Sequence, residues 1–162
     1  MSCKNLKWDF LTLKGKEYRI VEKQIYEAKY TVVVSDKFKN LLKQVYKNVK
    51  WVNIDELLTT FTKYFSFGYF LKKHWVYKIS KFNKWFLYKA YPPIVLWQNK
   101  NVKNSGHRLI LAINENENKI VLIHYYTKTD LKQKEENLLH HYNDDYKKVL
   151  LETLSNEYKK TI

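Results

Sequence analysis

Two apolar runs, HRLILAIN and KIVLIHYY, stand on either side of the short polar stretch ENEN. Asn and Glu are poor strand formers, and between two such runs they turn the chain. The pattern predicts an antiparallel β-hairpin, and no other stretch limits the fold so firmly. The hairpin is bracketed by a cation at one end, Arg108, and by Tyr125, Tyr126 and Lys128 at the other. Opposed residues in a hairpin have a constant sum of numbers. A turn centred near position 116 sets Arg108 opposite about His124, within a residue or two, so that Arg108, His124 and Tyr126 share a face with Lys128 just beyond.

The rest of the chain supplies what such a hairpin packs with. WDFLTLKGKEYRIVEKQIYEAKYTVVVS alternates around Gly15 as strands do, most clearly over Tyr30–Ser35. Ser35 or Asp36 can cap a helix carrying Phe38, Leu41, Leu42 and Val45 at helical spacing. Asn53 can cap a second helix with Ile54, Leu57, Leu58, Phe61 and Phe65 on one face, and Asp55 and Glu56 suit its positive end. Leu71–Ile79 is ambiguous between helix and strand. WFLYKAY reads as a strand that ends at Pro92-Pro93, since proline cannot donate to a ladder. From Leu131 a terminal helix is expected, with a stripe of Leu131, Leu138, Tyr142, Val149 and Leu154 and an interruption near Asn143–Asp145. The order of strands, two helices, strands and helix gives an α+β domain with a small, mostly antiparallel sheet and two helices packed on it. A single domain over 1–162 is expected, with a strand extension at 1–29, a core at 30–130 and a C-terminal helix at 131–162.

Charge narrows the function classes. From Leu57 to Asn114 there is no Asp or Glu, while ten Lys and Arg occur there. AT-rich codon usage can raise lysine content, but it does not remove carboxylates from one segment alone. A basic stretch without acids favours a polyanionic partner, and nucleic acid is favoured over a membrane surface because no amphipathic helix with a basic face stands out. No apolar run is long enough to span a bilayer, and no signal peptide is visible. The single cysteine, Cys3, cannot form an internal disulfide, so a cytoplasmic protein without structural zinc is expected.

Motifs for nucleotide or metal binding are absent: there is no GxxxxGK[ST], GxGxxG or HExxH. His140 and His141 are adjacent on the terminal helix and diverge by about 100°, so they make no ligand pair. No cofactor and no metal are expected. Metal-dependent nucleases gather carboxylates around Mg²⁺, and the most basic region has none. Metal-free RNA cleavage instead uses the substrate's 2′-hydroxyl. It needs groups that hold the phosphate, neutralise the phosphorane and move protons, roles open to Arg, Lys, His and Tyr. Arg108, Tyr126, Lys128 and His124 are the candidate catalytic residues, and Lys84, Tyr88, Lys89, Lys103 and His107 the candidate RNA contacts. The same tyrosines and histidine could instead be packing residues of the sheet.

Gly106-His107-Arg108-Leu109-Ile110-Leu111-Ala112, the hairpin, and the ending Tyr126-Thr127-Lys128-Thr129-Asp130 resemble the RelE/ParE superfamily of toxins from toxin–antitoxin systems. The similarity covers roughly residues 30–140, with TVVVSDKFKNLLKQV resembling that family's first strand and helix. It implies a small antiparallel sheet carrying two helices, and a metal-independent mRNA endoribonuclease, acting on free or ribosome-bound mRNA and neutralised by an acidic antitoxin. The positions matching the family's catalytic groups are Arg108, Tyr126, Lys128 and Lys89. Relatives in the ParE branch poison gyrase and cleave nothing, so the alternative is a non-catalytic inhibitor that binds or mimics nucleic acid.

Overall fold

The computed structural model describes residues 9–13, 16–21, 24–50, 52–68, 77–92, 106–127 and 142–161. Strands Asp9–Leu13 (β1), Lys16–Val21 (β2) and Gln24–Glu27 (β3) form an antiparallel three-stranded sheet of their own. The N-terminal alternation is therefore strand, as expected, and these strands do not extend the main sheet.

The main sheet begins with Thr31–Val34 (β4). Ser35 then caps helix Asp36–Val45 (α1): its hydroxyl accepts from the Phe38 amide at 3.0 Å and donates to the Ile123 carbonyl at 3.2 Å. One buried serine thus starts the helix and ties it to a strand far along the chain. Helix Ile54–Ser66 (α2) is capped by Asn53, whose Oδ1 accepts from the Glu56 amide at 3.1 Å. Its end is fixed by Gly68, at φ +66°, and by the Ser66 carbonyl, which accepts from the Lys29 and Tyr30 amides at 2.8 Å each. Four antiparallel strands complete the sheet: Tyr77–Phe82 (β5), Trp85–Ala90 (β6), His107–Asn114 (β7) and Lys119–Thr127 (β8). The order is β4-β8-β7-β6-β5, with β4 parallel to β8 and every other pair antiparallel.

The ambiguous Leu71–Ile79 stretch resolves in part. Residues 77–79 open β5, while 71–76 lie outside the described residues. The last described element, helix Asn143–Thr161 (α3), begins where an interruption was expected, with Asp144 and Asp145 in its first turn. Its buried stripe is Tyr146 and Leu150, flanked by Val149 and Leu154; Tyr142, expected on that stripe, is exposed.

Helices cover both faces of β7 and β8, which explains why these strands read as unbroken apolar runs. On one face Leu109, Leu111, Ile113, Ile120, Leu122 and Tyr125 meet Phe38, Leu42, Leu57, Phe61 and Phe65 of α1 and α2. On the other, Ile110, Ala112, Val121, Ile123 and Tyr126 meet Tyr146 and Leu150 of α3, together with Trp85 and Leu87 of β6. The expected α+β architecture holds: a mostly antiparallel sheet carries two helices, and the C-terminal helix closes the opposite face.

Candidate nucleic-acid interface

At the open end of the β7–β8 hairpin, Arg108 is paired with Tyr126, and Ile110 with His124. The expected partner of Arg108 was two positions away. The offset arises because the turn centres slightly later than position 116 and because the ladder slips between Ile110 and Leu111, where Ile123 is the extra residue on β8. A two-residue offset preserves the face. Arg108, His124 and Tyr126 therefore do converge, on the side of the sheet that α3 covers.

Their surroundings are less open than hairpin ends suggest. Arg108 is 4% exposed and Tyr126 8%. The Arg108 guanidinium lies 4.4 Å from the Tyr91 ring centroid, and its Nη1 donates to the His107 carbonyl at 2.8 Å. The His124 ring stacks on Tyr126 at 5.7 Å and tilts against Tyr146 of α3 at 5.5 Å. Burial, and secondarily the charge of Lys37, lowers the His124 pKa to about 4, so its imidazole is neutral at pH 7. Its buried Nδ1 has no hydrogen-bond partner. A neutral imidazole can accept a proton, though this environment makes it a weak base. The Tyr146 phenol is pushed well up, first by burial and then by Tyr142 and Asp145, so it stays protonated beside His124. Lys128 and Lys103 lie outside the described residues.

His107 takes no place at the surface. It points to the opposite face, 5% exposed, where Nδ1 shares a 2.7 Å hydrogen bond with the Tyr125 hydroxyl. That hydroxyl lies 3.3 Å from the hydroxyl of Tyr46. Burial, then Tyr46, raises the Tyr125 pKa far above the usual phenol range, so this is a neutral hydrogen-bonded chain inside the helix-covered core. The RNA contact expected of His107 is replaced by a structural role.

A group of exposed cations stands on the β5–β6 hairpin. Lys84 sits in its turn, beside Asn83 at φ +54°, and is exposed, as are Lys78 and Lys81 of β5. Tyr88 and Lys89 are both half-buried but cannot act together: successive strand residues face opposite ways. Lys89 shares the face of Arg108 and lies 5.6 Å from the ring of Tyr77, which is 51% exposed. Tyr88 turns to the helix side, where burial first and Glu115 second raise its pKa. Lys78, Lys81 and Phe86 share the Tyr88 face and Tyr77 the Lys89 face, and none of the four stands out in the sequence alone. The signal was present in the acid-free stretch, but Leu71–Ile79 had no assigned period and hence no faces.

Among the described residues no three His, Cys, Asp or Glu side chains gather as a metal site, and no helix is long and apolar enough to cross a membrane. No family model, curated protein or solved structure matches this chain.

Proposed function

We propose that this chain is a basic RNA-binding module that grips its ligand through the β5–β6 hairpin. The observation that carries this reading is the hairpin itself: Lys78 and Lys81 are exposed beside the half-exposed ring of Phe86, with exposed Lys84 in the turn, in a stretch of sequence without a carboxylate. Ammonium groups supply phosphate contacts, and exposed aromatic rings supply surfaces for bases. Burial of Arg108 and Tyr126 favours binding over bond breaking at the opposite end of the sheet. Fluorescence anisotropy with a labelled RNA oligonucleotide tests the reading. Affinity that falls steeply with salt supports it; no binding, or binding indifferent to salt, overturns it.

A second reading is favoured by the convergence of Arg108, His124 and Tyr126. In it the chain is a metal-independent endoribonuclease toxin of RelE/ParE type, cytoplasmic, acting on mRNA and restrained by an acidic antitoxin. His124 takes the 2′-proton as the 2′-oxygen attacks phosphorus, the P–O5′ bond breaks with Tyr126 protonating the departing 5′-oxygen, and Arg108, with Lys128, holds the phosphate. This version requires Arg108 and Tyr126 to become accessible when substrate binds. Incubation with ribosomes and mRNA in the presence of EDTA separates the two: cleavage that His124→Gln abolishes supports the toxin, and intact mRNA refutes it.

A further inference from the structure

Phe86 is a large aromatic residue that belongs to neither hydrophobic cluster of the sheet. It is half-exposed, on the side of β6 that faces α1 and α2. Those helices pack over β8 and β4, two and three strands away, so the sheet runs on beyond them at β6 and β5. Tyr88 follows Phe86 on the same side, with ring centroids 6.5 Å apart. Across the strand pair, Lys81 stands opposite Phe86 and Lys78 opposite Tyr88. Both ammonium groups are drawn to one ring: Lys78 Nζ lies 4.3 Å and Lys81 Nζ 5.5 Å from the Phe86 centroid.

We infer that Phe86, with Lys78 and Lys81, is a stacking site for one unpaired base, so that the RNA reaches this surface as a single strand. The inference rests on the RNA-binding reading and names the form of its ligand. An apolar ring flanked by two cations and set outside the core matches a nucleotide's own division into a flat base and a charged phosphate. A lysine over an exposed ring is held weakly compared with a stacked base. An arriving base therefore takes the ring, and the displaced ammonium groups, on long flexible stems, swing to the adjoining phosphates. A paired base offers only its edge to a protein, so a duplex cannot use the ring. Glu115, exposed in the β7–β8 turn and felt at the Tyr88 phenol, marks the acidic limit of the patch.

The experiment compares a labelled poly-U oligonucleotide with an RNA duplex of equal length, on the full chain. Phe86→Ala is expected to weaken single-strand binding about five- to a hundredfold, the range for loss of one base–aromatic stack. It should leave the salt dependence and the duplex affinity in place, and Phe86→Trp should restore the loss. Unchanged single-strand affinity in Phe86→Ala, with salt-sensitive binding still present, overturns the stacking site and leaves RNA binding standing. Absence of salt-sensitive binding in the native chain removes both. If circular dichroism shows Phe86→Ala unfolded, Phe86→Trp decides alone: poly-U quenches the added indole emission if a base stacks, and leaves it unchanged if none does.

Discussion

The Tyr125 hydroxyl and His107 Nδ1 lie 2.7 Å apart with both side chains buried, on strands that are neighbours in the sheet. Removing the hydroxyl takes a hydrogen bond from a buried imidazole, and a buried polar atom that loses a bond costs more than the bond's average net worth. Tyr125→Phe is expected to lose about 1–3 kcal/mol in urea unfolding. Tyr46→Phe, which removes the longer 3.3 Å contact to Tyr125 and leaves the His107–Tyr125 bond in place, should lose less. Equal losses would show that the His107–Tyr125 bond adds nothing.

Gly68 offers a sharper test of backbone geometry. It holds φ at +66°, and a Cβ there would sit 2.6 Å from Cε2 of the Tyr30 ring, itself buried in the core. Neither the left-handed backbone nor the ring yields cheaply. Gly68→Ala is expected to destabilise by about 2–4 kcal/mol in denaturant melts, whereas alanine at an ordinary helix end is close to neutral.

Arg108 separates binding from cleavage. Its guanidinium packs on Tyr91 rather than facing outward. Arg108→Met keeps much of the side-chain volume and removes the charge. Anisotropy should show RNA affinity within about twofold of the native chain, the size of effect expected where no phosphate contact is lost. Loss of a tenfold or greater share of affinity, roughly one stacked or charged contact, would place this arginine on the ligand.

His124 makes stability depend on pH in a defined direction. Its pKa in the folded chain is about 4, against an ordinary value of 6.5. Between those values the unfolded chain binds a proton here that the folded chain refuses. Stability is therefore fully present above pH 6.5 and declines as pH falls, by roughly 3 kcal/mol once pH passes below the folded value. Urea unfolding of the native chain and of His124→Gln across this range isolates the contribution. The variant should show a shallower decline, and identical slopes would refute burial of a neutral imidazole.

Counterion release reads out the β5–β6 surface. Each phosphate neutralised on a single strand contributes about 0.7 to the slope of log affinity against log salt. Replacing Lys78, Lys81 and Lys84 together by glutamine should flatten that slope by about two. Replacing Lys37, Lys43 and Lys47, exposed lysines on and after α1, should leave it nearly unchanged.

Where local chemistry decides, the sequence anticipates the structure. Ser35 and Asn53 cap the helices they were expected to cap, and the ENEN stretch turns between β7 and β8. What it could not show depends on contacts across the sheet. The slip beside Ile110 moves Arg108 opposite Tyr126, and nothing in HRLILAIN announces it. A second irregularity, between Lys78 and Ser80, disrupts the alternation of YKISKF and makes that strand hard to recognise. Arg108 reads as a surface cation, because a long basic side chain at a strand end ordinarily is one. Only the assembled sheet reveals Tyr91 beneath it. Tyr146 escaped the expected α3 stripe for a similar reason, since the faces of a helix are ranked by what it lies against.

The parallel pairing of β4 with β8 sets the tempo at which this protein can assemble. Ser35 and Ile123 are bonded across 88 residues of chain, and the apolar sides of α1 and α2 close largely on β7 and β8. On a ribosome the two helices emerge long before the strands that shelter them. Until β8 is released, Phe38, Phe61 and Phe65 have no lasting cover. A nascent chain of this kind depends on its last third to rescue its first, and truncation before β8 should leave a product prone to aggregate rather than a smaller working version.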